Sequence, residues 1–389
     1  MAYFILLILV VLLLPKNRVS SDSTYYLNSK TKGISTTITI TEKGIRLFSA
    51  FVILFLFSAL RYGVGTDYFY TYAPGYIILR NGIYQYNYYE PAFRLLNLLC
   101  IHFSSNYQWI FVTTSFITYA FLFATIRKYS IAPKISFLVY FLTSMYFNSL
   151  SNIRQAIAMT ICLLAFEFLI NSNQKMITRL MLFYAFVIIA CLFHSSAMTF
   201  TIVPLLLLLK NYSARRHLLI GGVAFIVALV LNFSGSVGKL LNVVLQLFSK
   251  YQRYNSSGKI YWAFLALNVA VYLFMYLASM NEKELDQKTV TYLNVQFVSV
   301  IVLLFSNVLP AADRLARYFM IIQTTATPHF IKLANKENWT TQVVVKFGWI
   351  ALLIAWCLFY IFSYGADGCF PYKSILFVKD MWQKGYFGN

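Results

Sequence analysis

Acidic residues are scarce in this chain: 12 Asp and Glu stand against 32 Lys and Arg in 389 residues, and charges of both signs make up only 11% of it. So few charges cannot cover the surface of a soluble protein of this length, whereas 60% hydrophobic residues and a mean hydropathy of +0.66 suit a polytopic membrane protein. The formal net charge of +20 would suggest nucleic acid in a soluble protein. Here the positive residues are scattered between apolar runs, and membrane orientation accounts for most of them without a nucleic-acid partner. Cysteine is sparse too. Cys100, Cys162, Cys191, Cys357 and Cys369 form no Cys-x-x-Cys pair and sit mostly inside apolar runs, which indicates neither a disulfide framework nor a zinc site. The chain also lacks a Walker A loop, Gly-x-Ser-x-Gly, His-Glu-x-x-His and the Asp-x-Asp pair of many nucleotide-sugar transferases. ATP-driven and nucleotide-sugar chemistry are therefore disfavoured, and no cofactor or metal is implied. Whatever group is transferred must arrive already activated.

What is present is a succession of apolar runs. They lie near 2–15, 46–60, 108–126, 135–150, 153–170, 180–194, 196–209, 218–233, 260–280, 290–309, 315–331 and 347–363. Read as helices crossing about 30 Å of hydrocarbon, they predict an all-α integral membrane protein with about 12 spans, in a range of roughly 10 to 13. The whole of 1–389 reads as one transmembrane domain. Lys16 and Arg18 follow the first run instead of preceding it, so that run reads as a retained helix with the amino terminus outside. The polar loop at 16–45 is then cytoplasmic. A long loop at 61–107, a second at 234–259 and the tail at 364–389 are extracytoplasmic. The long loop is rich in tyrosine, for interfacial anchoring or for stacking on sugar rings, and its stretch 91–103 is amphipathic over about one short helix.

Charge sharpens the orientation. Most lysines fall in the inner segments, as the positive-inside rule requires, but Arg61, Arg80, Arg94, Arg154, Arg314 and Arg317 fall outside. Arginine binds phosphate or carboxylate at two points, while lysine is a hydrated point charge, so an outward excess of arginine implies an anionic ligand reached from outside. Four apolar runs end in hydrophilic signals that this topology puts on one side: Arg61 to Asp67-Tyr68, Asn152-Ile153-Arg154-Gln155, His194-Ser195-Ser196, and Asp313-Arg314-Leu315-Ala316-Arg317.

Each of these residues has a plainer alternative. Arg154 could anchor its helix by snorkelling. Arg314 and Arg317 share one helical face, with Asp313 four residues before Arg317 as a local ion-pair partner. Asp67 and Glu90 could be solvated acids or helix caps, and His194 a satisfied polar residue at a helix end. Glu167 is about 20 Å along the same helix from Arg154 and is not its partner; packing or gating in the inner leaflet is its simplest role.

Taken in order, Arg-x-Gly-x-Gly-x-Asp-Tyr at 61–68, Glu90-Pro91-Ala92-Phe93, Ile153-Arg154-Gln155-Ala156-Ile157-Ala158 and His194-Ser195-Ser196-Ala197 resemble the EpsG family. Asp313-Arg314-Leu315-Ala316-Arg317-Tyr318-Phe319 and Pro371-Tyr372-Lys373 extend the resemblance over about 45–375. The loop at 20–42 departs from it. The resemblance implies a bacterial cytoplasmic-membrane enzyme, related to Wzy-type polymerases of exopolysaccharide, capsule and O-antigen pathways. Such an enzyme joins oligosaccharide repeat units carried on undecaprenyl pyrophosphate, on the outer face. It implies Arg61, Arg154, Gln155, Arg314, Arg317, Tyr68 and Tyr318 as the substrate and pyrophosphate contacts. Asp67, Glu90 or His194 would take the acceptor's proton, without a metal. Besides the lipid-linked substrate and membrane lipid, a flippase and a chain-length regulator are the implied partners. A flippase or transporter, a ligase and an acyltransferase are the alternative readings.

Overall fold

A computed structural model of the protein describes residues 1–16, 24–31, 34–83, 89–234, 260–282, 284–309, 311–334 and 339–377. The expected loop at 234–259 thus falls, but for its first residue, outside the described residues, as does the tail beyond 377. Among the described residues six helices are long and apolar enough to cross a membrane by length and composition, and five shorter apolar helices accompany them. The chain is a multi-pass membrane protein.

Each apolar run of the sequence is answered by a helix or a broken pair. In chain order they are α1 (Ala2–Leu13), α2 (Glu42–Ala59), α3 (Ala73–Arg80), α4 (Pro91–Phe103), α5 (Gln108–Tyr129), α6 (Pro133–Leu142), α7 (Met145–Ser151), α8 (Ile153–Asn171) and α9 (Met176–Phe193). There follow α10 (Val203–Leu206), after a 3-10 stretch at Ser195–Ile202, then α11 (Ala214–Ser234), α12 (Trp262–Leu277), α13 (Gln287–Leu304), α14 (Ala312–Met320), α15 (Gln323–Ala334), α16 (Trp339–Val343) and α17 (Trp349–Gly368). Three expected spans are divided. Run 135–150 breaks where Ser144 takes φ 67°, and its hydroxyl accepts the Trp356 indole N–H at 3.0 Å. Run 196–209 is largely 3-10, and run 315–331 splits into α14 and α15.

Two of the expected loops contain regular structure. The polar loop 16–45 contains an antiparallel hairpin, β1 (Thr24–Thr31) with β2 (Ile34–Thr41), in the register Tyr25 to Ile40 and Lys30 to Ser35. Among the described residues the regular structure is helical except for this ribbon, whose second strand is rich in Thr and Ile, residues that favour strands. The strand ends at a helix cap: the Thr41 hydroxyl accepts the Gly44 N–H and starts α2. The segment 61–107 is mostly helical, with a π-helical turn at Tyr68–Tyr72 followed by α3 and α4. The amphipathic 91–103 is α4 itself, opened by Pro91 at its first position, where a missing N–H costs nothing.

The described chain forms two compact units. One comprises Met1–Leu164, Leu192–His194 and Leu353–Asn389, the other Ala165–Cys191 and Ser195–Leu352. In the first unit, Phe51 and Phe55 of α2 meet Phe116 of α5 edge-on at 5.8 Å. A buried aromatic cluster gathers Tyr68, Tyr72, Tyr76, Tyr89, Phe93, Phe111 and Ile153. In the second, α11 leaves Leu218, Val223, Ile226 and Val230 exposed while Asn268, Gln296 and Ser299 are buried. Apolar outside and polar inside is the arrangement a lipid solvent selects, because buried amides find partners on neighbouring helices.

Candidate functional site

The first unit brings three of the sequence-predicted residues together. Glu90 occupies the position before α4, but its carboxylate makes no cap bond to that helix. The side chain turns instead to Arg154 in the first turn of α8, with Oε2 at 2.5 Å from Nη1, and to His194 after α9, with Oε1 at 3.5 Å from Nδ1. The Glu90 side chain is 4% exposed, that of Arg154 9% and that of His194 15%. A snorkelling anchor would hold its charge in water; Arg154 holds it in the interior against a carboxylate. Its guanidinium also lies over the rings of Tyr89 at 5.3 Å and Phe93 at 5.8 Å.

Local sequence explains this geometry. Tyr89 is pinned by its hydroxyl, which donates to the Thr71 carbonyl at 2.8 Å, and its ring meets Phe93 edge-on at 4.8 Å. Gly75 of α3 makes room: a β-carbon there would stand 1.9 Å from the Tyr89 hydroxyl oxygen, so even alanine is too large. Tyr89, Phe93 and Gly75 were not legible as site residues. The only signal was the run Tyr89-Glu90-Pro91, in which Pro91 fixes the entry to α4 and thereby the direction of its two predecessors.

The remaining candidates stand elsewhere in their units. Arg61 is wholly buried at the end of α2, where Nη1 donates to the Ser58 carbonyl at 2.5 Å and to the Ser115 hydroxyl at 3.1 Å, and Nη2 to the Leu150 carbonyl at 3.3 Å. It stitches α2 to α5 and α7 beneath the Phe111 ring, with no carboxylate in contact among the described residues. Tyr68 is also interior, donating to Gln108 Oε1 at 2.5 Å and stacked on Phe111 at 3.9 Å. Asp67 precedes the π-helical turn without capping it and is half-buried. Gln155, beside Arg154, is 2% exposed.

The loop that carries Asp67 is braced by the chain's late turn. Gly65 N–H donates to the Gly368 carbonyl at 3.1 Å, and Thr66 N–H to that of Asp367 at 2.8 Å. Gly65 has φ +97°, and a β-carbon would meet the Leu150 carbonyl at 2.6 Å, so the glycines of this motif serve backbone approach.

In the second unit, Arg317 on α14 is 4% exposed and lies over the Phe264 ring at 4.9 Å, Tyr318 is fully buried and Arg314 half-buried. Among the described residues no group of three or more His, Cys, Asp or Glu side chains has the spacing to hold a metal ion.

The Glu90 cluster can do two things. A guanidinium held by a carboxylate on one edge presents further N–H donors to a phosphate. A carboxylate at Nδ1 orients an imidazole so that its other ring nitrogen handles protons. No curated protein and no solved structure matches this chain. The model of the EpsG family matches residues 44–374, which takes in the 61–68 loop, Glu90, Arg154, His194 and the α14 arginines. The chain belongs to the EpsG family of Wzy-like polysaccharide polymerases.

Proposed function

We propose that the protein polymerises oligosaccharide repeat units linked to undecaprenyl pyrophosphate, on the outer face of the bacterial cytoplasmic membrane. The observation that carries this reading is Glu90 shared between Arg154 and His194, because glycosyl transfer from a lipid pyrophosphate needs an anion binder and a proton acceptor side by side. A hydroxyl of the acceptor's terminal sugar attacks the anomeric carbon of the donor chain. The bond from that carbon to the pyrophosphate oxygen breaks, its electron pair leaves with the lipid pyrophosphate, and the hydroxyl proton passes to the protein. Arg154 stabilises the charge that develops on the leaving oxygen, with Gln155 beside it; in the second unit Arg314, Arg317 and Tyr318 are that unit's own candidate anion contacts. His194 takes the proton, with Glu90 orienting it. Asp67, in the 61–68 loop, is the alternative proton acceptor of this reading. Arg61 ties α2 to α5 and α7, and Tyr68 is bonded to Gln108 of α5. The missing Asp-x-Asp pair favours a metal-independent reaction.

Purified protein given lipid-linked repeat unit in the presence of chelator should yield a ladder of polymer. Deletion should leave single repeat units on their lipid, because their assembly and export precede polymerisation. Loss of export of single units would favour a flippase, and loss of a substituent at unchanged chain length an acyltransferase. Cysteines placed at Asp67, Arg154, His194 and Asp313 should react with a membrane-impermeant thiol reagent in intact cells. Labelling of the 171–179 and 281–288 segments instead would invert the orientation.

A further inference from the structure

The second unit contains a buried carboxylate that the polymerase reading does not use. Glu167 of α8 is fully buried. Its Oε1 accepts from the Tyr292 hydroxyl of α13 at 2.6 Å and from the Thr325 hydroxyl of α15 at 2.6 Å, and its Oε2 accepts from the Asn171 amide at 2.7 Å. The nearest cation is one side chain removed: Lys288 Nζ donates to Asn171 Oδ1 at 2.7 Å. One turn further along, the Thr289 hydroxyl of α13 and His329 Nε2 of α15 are hydrogen-bonded at 2.7 Å.

Between these two contacts α15 contains Pro328. Proline has no N–H for the carbonyl four residues back and its ring clashes with that carbonyl, so a helix bends there most easily. Thr325 and His329 are four residues apart, on one face of α15, on either side of the proline. The two side-chain contacts therefore cross the weak point of the helix. If only packing were required, apolar side chains would fill this space at lower cost than a buried carboxylate and its distant ammonium.

We propose that Glu167 and His329 form a two-point latch that holds α15 straight across Pro328 against α8 and α13, and that releasing it lets the helix open at the proline. This inference goes beyond the polymerase reading and does not depend on it.

Thr327 provides the reporter. It is fully buried, and its hydroxyl has no hydrogen-bond partner among the described residues, so exchanging it for a thiol removes no bond. Full-length Thr327→Cys protein in detergent is treated with a small maleimide and read peptide by peptide by mass spectrometry. The native thiol of Cys369, fully buried in the first unit, reports global unfolding. The thiol at 327 should react slowly on its own. It should react about tenfold to a hundredfold faster when combined with Glu167→Gln, Thr325→Val or Thr289→Val, which remove contacts of this strength, while the Cys369 rate stays constant. A rate at 327 that is unchanged in all three variants, or that rises only in step with Cys369, overturns the latch.

Discussion

Glu90 and Glu167 are both carboxylates in the interior of a membrane protein, and they are satisfied by opposite means. Glu90 faces the Arg154 guanidinium on one oxygen and the His194 imidazole on the other, and keeps a small exposure. Glu167 is wholly buried and is solvated by the neutral donors Tyr292, Thr325 and Asn171, with Lys288 held one residue away. A carboxylate that touches a guanidinium can lend it to a substrate, because an incoming phosphate competes for the same N–H donors. One enclosed by neutral donors has nothing to exchange and holds helices together. The same residue type is thus suited to chemistry in the first unit and to architecture in the second.

Replacing Glu90 by Gln breaks this comparison most severely. The Arg154 charge would stay buried without its partner, a loss of about 3 to 5 kcal/mol for a fully enclosed pair. Little folded protein should survive extraction, as read by size-exclusion profile and thermal unfolding in detergent. Combining Glu90→Gln with Arg154→Met removes the stranded charge and should restore the folded profile without restoring polymer. Equal damage in the single and double variants would mean that the ion pair is not what holds the cluster.

A gentler change asks what the guanidinium is for. Arg154→Lys keeps a positive charge beside Glu90 but loses the planar fork that binds two phosphate oxygens. Folding should be nearly retained while polymer formation falls about tenfold to a hundredfold. Arg127→Lys, at the exposed end of α5, should leave the ladder unchanged. Arg314→Lys and Arg317→Lys extend the same measurement to the second unit. Full activity of all three substitutions would leave these arginines as structural anchors.

Hydropathy made the helices legible, because lipid allows few alternatives to a helix. The break at the left-handed Ser144 was not, since it is held by a tertiary contact, the Trp356 indole on the Ser144 hydroxyl. The pairing of β1 with β2 is not legible, because the polarity of these strands hides their period-2 pattern. Arg154 and His194 are readable as polar signals at helix mouths, and Glu90 as an acid of the long loop. That they meet was not readable, because Glu90 and Arg154 are brought together by the fold, from positions 64 apart in sequence. Arg61 carried the same signal at a helix end, yet it turns inward onto carbonyls. Charge type alone cannot separate a ligand-binding arginine from one that ties helices together.

On the Glu167 side the smaller test is Tyr292→Phe, which deletes one hydroxyl and leaves Thr325 and Asn171 on the carboxylate. Because two donors remain, the loss should be about 1 to 2 kcal/mol in thermal or denaturant unfolding, with polymer length unchanged. A fall in activity out of proportion to stability would move Glu167 from architecture to chemistry.

The smallest effect concerns Asp286, which begins the helix that carries Lys288 and Tyr292. Its carboxylate accepts the Thr289 N–H at 2.8 Å and caps α13. Burial pushes this carboxyl up, but the Thr289 hydroxyl and amide, with His329 and Lys288 nearby, outweigh burial and hold it below its ordinary value. A depressed folded value means that the cap's charge contributes fully at neutral pH, and that this contribution is lost as pH falls below about 4 and through the folded value. Asp286→Ala should cost about 1 kcal/mol at neutral pH by removing the cap. Asp286→Asn keeps an acceptor for the same N–H, so it should cost only a few tenths while flattening this residue's share of the acid dependence. The measurement is thermal unfolding of wild type and Asp286→Asn between neutral pH and about pH 3. The two curves should converge as acid protonates the wild-type carboxylate, and curves that stay parallel would show that the cap works without its charge.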